Sequence, residues 1–173
     1  MANTYTRINY SYLTAGTTTI DFTSIPQTYT DLLLLCSTRA EGNALDNAVR
    51  FNNDSTSIYS WTQMQSGASS GSAGVARTSS TSTMRAGGME PSTYTSYVFN
   101  NTSIYIPAYT SSNYKSVIAD GVDENNSTTN YSWFHAGLWR STAAINRVQF
   151  FVEAGGNLAA GSQITLYGIK NTP

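Results

Sequence analysis

The chain has one histidine (His135), one cysteine (Cys36) and charged side chains at only 11% of its 173 positions. Proton transfer, covalent catalysis and metal binding near neutral pH draw mainly on side chains of these types. A chain so poor in them is expected to be neither an enzyme nor the holder of a cofactor. Without a second histidine or cysteine, a tetrahedral zinc site within one chain would have to lean on carboxylates. No strand-to-helix nucleophile elbow is expected either. Glycosidases, which need only two carboxylates, are the least excluded enzyme class, but nothing in the sequence places Asp21, Asp46 and Glu153 near one another.

Other shortages narrow the reading further. The nine lysines and arginines are scattered singly and offset by ten acidic residues, so the basic patch that a nucleic-acid partner needs is missing. The longest apolar run, Leu32-Leu33-Leu34-Leu35-Cys36, is far short of the ~18 residues that insert into a membrane as a helix. The start of the chain has neither a basic nor an apolar leader segment, so no signal peptide is expected. Cys36 has no partner for an internal disulfide and reads as a small buried hydrophobe, which suits synthesis in a host cytoplasm.

What is abundant is Ser, Thr, Asn, Gly and Tyr, the residues of strands with neutral polar faces and of turns. Short runs with period-two patterning cover residues 4–10, 18–22, 29–38, 48–51, 75–84, 94–106, 114–119, 131–139, 145–152 and 163–169. Residues 59–65 fit a strand or a short helical turn, residues 66–74 a flexible Ser/Gly loop, and residues 120–130 a polar loop. About nine or ten strands without an amphipathic helix predict one all-β domain, an antiparallel β-sandwich of jelly-roll-like form.

Three segments carry a resemblance. Val49-Arg50-Phe51-Asn52-Asn53-Asp54 is followed by Tyr59-Ser60-Trp61. Gly137-Leu138-Trp139-Arg140-Ser141-Thr142-Ala143-Ala144-Ile145-Asn146 forms a second element, and Ala160-Gly161-Ser162-Gln163-Ile164-Thr165-Leu166-Tyr167-Gly168-Ile169 a third. Together, over about residues 45 to 170, they resemble small virion structural proteins of tailed bacteriophages. That resemblance implies a non-enzymatic part of a virion. A capsid decoration (cement) protein is the preferred placement, and a carbohydrate-binding or receptor-binding module of a tail or head fibre is the alternative. It also implies a homo-oligomer, with a trimer favoured. The partners it implies are other virion proteins such as the major capsid protein and, in the alternative, a host surface glycan.

Within residues 131–139, side chains alternate between two faces. Tyr131, Trp133, His135 and Trp139 share one, and Phe134, Ala136 and Leu138 the other. The wholly apolar second face predicts the core side. The first predicts a contact surface for a subunit or a sugar ring, with Arg140 at its end binding backbone carbonyls or an acidic partner. The competing expectation is that these aromatics are the second layer of the core. Asp120, Asp123, Glu124 and Asn125 form the densest acidic stretch. It lacks calcium-loop spacing and is expected to be a solvated turn, so no metal site is expected.

Overall fold

The computed structural model describes residues 4–44, 46–67, 72–127 and 130–170. Thirteen strands and no helix occur among them. In chain order they are β1 (Tyr5–Tyr12), β2 (Thr19–Phe22), β3 (Asp31–Ala40), β4 (Asp46–Phe51), β5 (Tyr59–Gly67), β6 (Ser72–Thr81) and β7 (Met84–Gly88). β8 (Glu90–Pro91), β9 (Asn100–Ile106), β10 (Lys115–Asp123), β11 (Tyr131–Trp139), β12 (Val148–Val152) and β13 (Gln163–Ile169) follow. The protein is an all-β sandwich. Its larger sheet runs β1-β13-β3-β9-β10-β11-β5-β6, and its smaller sheet β2-β12-β4-β7. All pairings are antiparallel except that of the two-residue β8, which lies parallel to the end of β3.

Three local readings change. Residues 66–74 are not one loop. β5 and β6 pair out to Ser66–Ala73 and Gly67–Ser72, and residues 68–71 lie outside the described residues. The backbone hydrogen bonds of Ser and Gly here are taken up by the neighbouring strand, which composition does not reveal. Residues 120–123 are likewise the end of β10, paired with β11 as far as Asp123–Tyr131. Met84-Arg85-Ala86-Gly87-Gly88 reads as the end of a strand and a turn, yet it is β7, the edge strand of the smaller sheet.

Core positions follow the pleat. Leu32, Leu34 and Cys36 on β3, Ile104 and Ile106 on β9, and Ile164 and Leu166 on β13 point inward. They meet Ile20 and Phe22 on β2, Val49 and Phe51 on β4, and Val148, Phe150 and Val152 on β12. These side chains form one cluster. Cys36 is buried in it, and burial pushes its thiol pKa far up, so the neutral thiol packs as a hydrophobe. Phe150 sits on the inner strand β12, fully buried. Phe150→Ala is therefore expected to cost about 3–5 kcal/mol, read as a lower urea midpoint with an unchanged β-type circular dichroism spectrum.

Candidate functional site

β11 shows its two faces in the reverse of the expected sense. Trp133, His135 and Trp139 are 4%, 1% and 1% exposed, whereas Phe134 is 47% exposed and Ala136 is also on the outside. Tyr131, at the end of the inner face, is half-buried and stacks on Trp133 at 5.2 Å between ring centroids. The reason lies in two glycines where β7 and β11 face each other. A Cβ on Gly88 would stand 2.5 Å from the Trp133 ring, and one on Gly137 would stand 1.8 Å from Met84 Sδ. Glycines thus make room for the largest side chains, and the wide inter-sheet space takes the Trp/His face. Trp133, His135 and Trp139 are core residues and form no exposed stacking platform.

His135 is held neutral. Its Nδ1 accepts the Gly87 N–H at 3.2 Å, so Nε2 carries the proton and faces Gln63 Oε1 at 3.1 Å. Burial, with the Arg85 guanidinium adding repulsion, pulls its pKa down to about 4. Arg85 Nη1 reaches Asp46 Oδ2 at 3.1 Å and Nε reaches Glu153 Oε2 at 2.6 Å, while the guanidinium lies over the Trp61 ring at 4.6 Å. Asp46 and Glu153 thus share one arginine, with burial raising both carboxyl pKa values against its pull. Asp21 is elsewhere, paired with Arg147 Nε at 2.9 Å. The set has the character of structural pairing between neighbouring strands of the smaller sheet, because the arginine occupies both acids.

The acidic stretch does not converge. Asp120 points out from β10 and accepts a hydrogen bond from Ser103 Oγ at 2.5 Å; Asp123 points inward and is buried. Glu124 is exposed and accepts from the Asn126 N–H at 2.9 Å, and Asn125 is buried with its amide on Glu90. Asp123 and Asn125 therefore belong to the interior rather than to a solvated turn. Period-two alternation along β10 sends Asp120 and Asp123 to opposite faces. Among the described residues no group of three or more His, Cys, Asp and Glu side chains is placed to hold a metal.

The segments that carry the resemblance are joining hardware. Asn52 and Asn53 take left-handed backbone (φ 52° and 57°), a conformation that asparagine tolerates. Asn52 Nδ2 donates to Ala144 O at 2.8 Å, and its Oδ1 accepts from Asn146 N at 2.9 Å. Trp139 stacks on Tyr59 at 6.2 Å and donates from Nε1 to Asp54. Arg140 Nη2 donates to Ser57 O at 3.0 Å and Nε to Ile58 O at 3.3 Å, the carbonyl role expected of it. Ser162 Oγ accepts from Arg39 N at 3.1 Å. The letters Gly67-Ala68-Ser69-Ser70-Gly71 do match a nucleophile elbow; residues 68–71 lie outside the described residues, and the element that follows, β6, is a strand where an elbow leads into a helix.

What sequence reasoning missed is the outer face of the larger sheet. Cross-strand partners share a face, so registers define rows across it. One row runs Tyr10, Thr165, Leu35, Ser103, Asp120, Phe134, Met64, Val75. The next runs Arg7, Tyr167, Leu33, Tyr105, Ile118, Ala136, Thr62, Arg77. Met64 and Val75 are 59% and 75% exposed, and Leu35, Ile118 and Val122 also stand out to solvent. A shallow depression beside Phe134 is lined by Met64, Ala73, Val75 and Ser132. The signal was present as Ile118 and Val122 flanking Asp120, but β10 carries aliphatic side chains on both faces. No protein-family model matches the chain, and no curated protein matches it in sequence.

Two predictions test this arrangement. Trp133→Ala should lower the unfolding midpoint by the equivalent of about 3–5 kcal/mol, as measured by urea titration, without changing sedimentation at matched concentration. His135 gives a pH signature. Its folded pKa of about 4 lies below the ordinary 6.5, so between them the unfolded chain binds a proton that the native state excludes. Its contribution therefore stays intact above that window and is lost as pH falls through it, by roughly 3 kcal/mol in all. Denaturation at about pH 7 and pH 4 should show wild type losing that much relative to His135→Gln.

Proposed function

We propose that this protein is a non-enzymatic structural component of a tailed-phage virion, a capsid decoration protein that self-associates and docks on the particle surface. The observation that supports the reading is the outer face of the larger sheet. Eight strands at ~4.8 Å spacing and three rows of outward side chains span roughly 34 Å by 14 Å, about 480 Å² between strand and row centres. Leu35, Ile118, Val122, Phe134, Met64 and Val75 stand exposed among its small polar side chains. Apolar side chains gathered on one exposed face mark interaction surfaces. In the three rows that run from Arg7, Tyr10 and Tyr12, the charged side chains are Arg7, Asp120 and Arg77. The desolvation that opposes association is therefore small. At ~25 cal/mol per Å², modest contacts repeated over many copies give large avidity. The phage-protein resemblance supplies the virion setting and the trimer.

The alternative, a carbohydrate-binding module at a fibre tip, draws on different residues from those first expected. Tyr5, Tyr10 and Tyr12 stand exposed along the edge strand β1, where their rings are free to stack on sugars. Sedimentation velocity tests both readings. The 18.7 kDa chain should sediment as an oligomer, a trimer, and Phe134→Asp should shift it to monomer while keeping its β spectrum. A wild type that stays monomeric at high concentration contradicts the assembly reading. Binding to a glycan array, lost in Tyr10→Ala, would favour the fibre module.

A further inference from the structure

At the end of the sandwich where β8 meets β3, two carboxyl groups lie buried side by side. Glu90 is 0% exposed and Asp123 is 4% exposed. They stand within hydrogen-bonding reach of each other. The Asp123 Oδ1 accepts the backbone N–H of Tyr131. Its Oδ2 is buried and receives no hydrogen bond from any donor of the described residues. Asn125 is oriented by Ser127, whose N–H donates to Oδ1 at 3.0 Å, so the amide turns its Nδ2 donor toward Glu90 at 3.3 Å. A donor placed there suits an acid pair and opposes a metal ion.

Two ionised carboxylates cannot both be accommodated in such a place. The groups facing the pair from each packed element are Arg39 on β3, the phenols of Tyr94 and Tyr131, and Glu124 beyond β10. Arg39 is the sole cation of this set, and its Nη1 already donates to Thr95 O at 2.8 Å and Val98 O at 2.6 Å. Glu124 adds negative charge. A proton on Glu90 supplies the donor that Asp123 Oδ2 lacks, and the pair then carries a single charge.

We propose that Glu90 and Asp123 hold one shared proton that latches β8 and the 124–127 turn over this end of the sandwich, and that its loss in mildly alkaline solution releases them. Burial raises both carboxyl pKa values, that of Glu90 to about 7. A raised folded pKa means that the stabilisation is present at acidic pH and is lost as pH rises through that value. β8 is the weakest-held strand, with two register pairs to β3. Trp133 packs against Gly88, two residues before Glu90, and stacks on Tyr131, so its emission reports on the latch.

The full chain, carrying carboxyl-labelled Glu and Asp, is titrated from about pH 5.5 to 9 by carbon NMR and by tryptophan fluorescence, a range that brackets ordinary histidine but not ordinary carboxylate titration. The expected result is one carboxyl resonance titrating near pH 7 with a coincident change in tryptophan emission. Both should vanish in Glu90→Gln, whose amide donates at every pH. In Asp123→Asn, Glu90 should titrate at least one pH unit lower. The absence of any carboxyl titrating between about pH 6 and 8 overturns the shared proton. A titrating carboxyl with flat emission overturns the latch, as does an emission change that survives Glu90→Gln. If neither variant folds, the two wild-type readouts decide.

Discussion

The sandwich closes because, where β7 and β11 meet, a glycine on each strand faces a large side chain on the other. Gly88 lies against the Trp133 ring and Gly137 against Met84, at separations that a Cβ would violate. That close approach sets which face of β11 is inside, and the pairings of β11 with β5 and β10 carry the choice across the larger sheet. Interiors of this density tolerate little volume change. Placing Trp133 inside therefore fixes Phe134, Met64 and Val75 outside. The exposed outer face is a consequence of the core.

The polar residues inside follow from the same closure. His135 is tolerated because Gly87 and Gln63 satisfy both of its ring nitrogens. Glu90 and Asp123 are tolerated if a proton joins them. The two groups act in opposite directions on acidification: the native state excludes a proton at His135 and retains one at Glu90. Part of each pH dependence is hidden by the other in the wild type, which is why single variants report what the unaltered chain conceals.

Alternation made the fold class legible, since runs such as 145–152 and 163–169 have no helical reading. The same alternation shows that Trp133 and His135 share a face but cannot say whether that face is in or out. Smallness and apolarity suggested Phe134, Ala136 and Leu138 for the core. Part of the deciding information sat some forty residues earlier, in the glycines of β7, and glycine in sequence reads first as a turn. Glu90 escaped notice for a similar reason. Its chemistry arises only when β8 is brought beside the end of β10, a contact between residues 33 positions apart that no local pattern encodes. Arg140 was legible only in kind, because an arginine at a strand corner commonly binds carbonyls; that those carbonyls belong to Ser57 and Ile58, more than eighty positions away, follows from the pairing of β11 with β5.

The proposed assembly role needs a surface that is stable when exposed and more stable when covered, and the outer face carries few charges that covering it would desolvate. Thiol labelling tests this most directly, because the lone native cysteine is buried. Cysteine placed at Met64, on the outer face, and at the 96%-exposed Tyr97, away from it, can be reacted with a maleimide over a range of protein concentrations. The account predicts that labelling of Met64→Cys slows as concentration rises while labelling of Tyr97→Cys does not. Equal and concentration-independent labelling at both positions would contradict it.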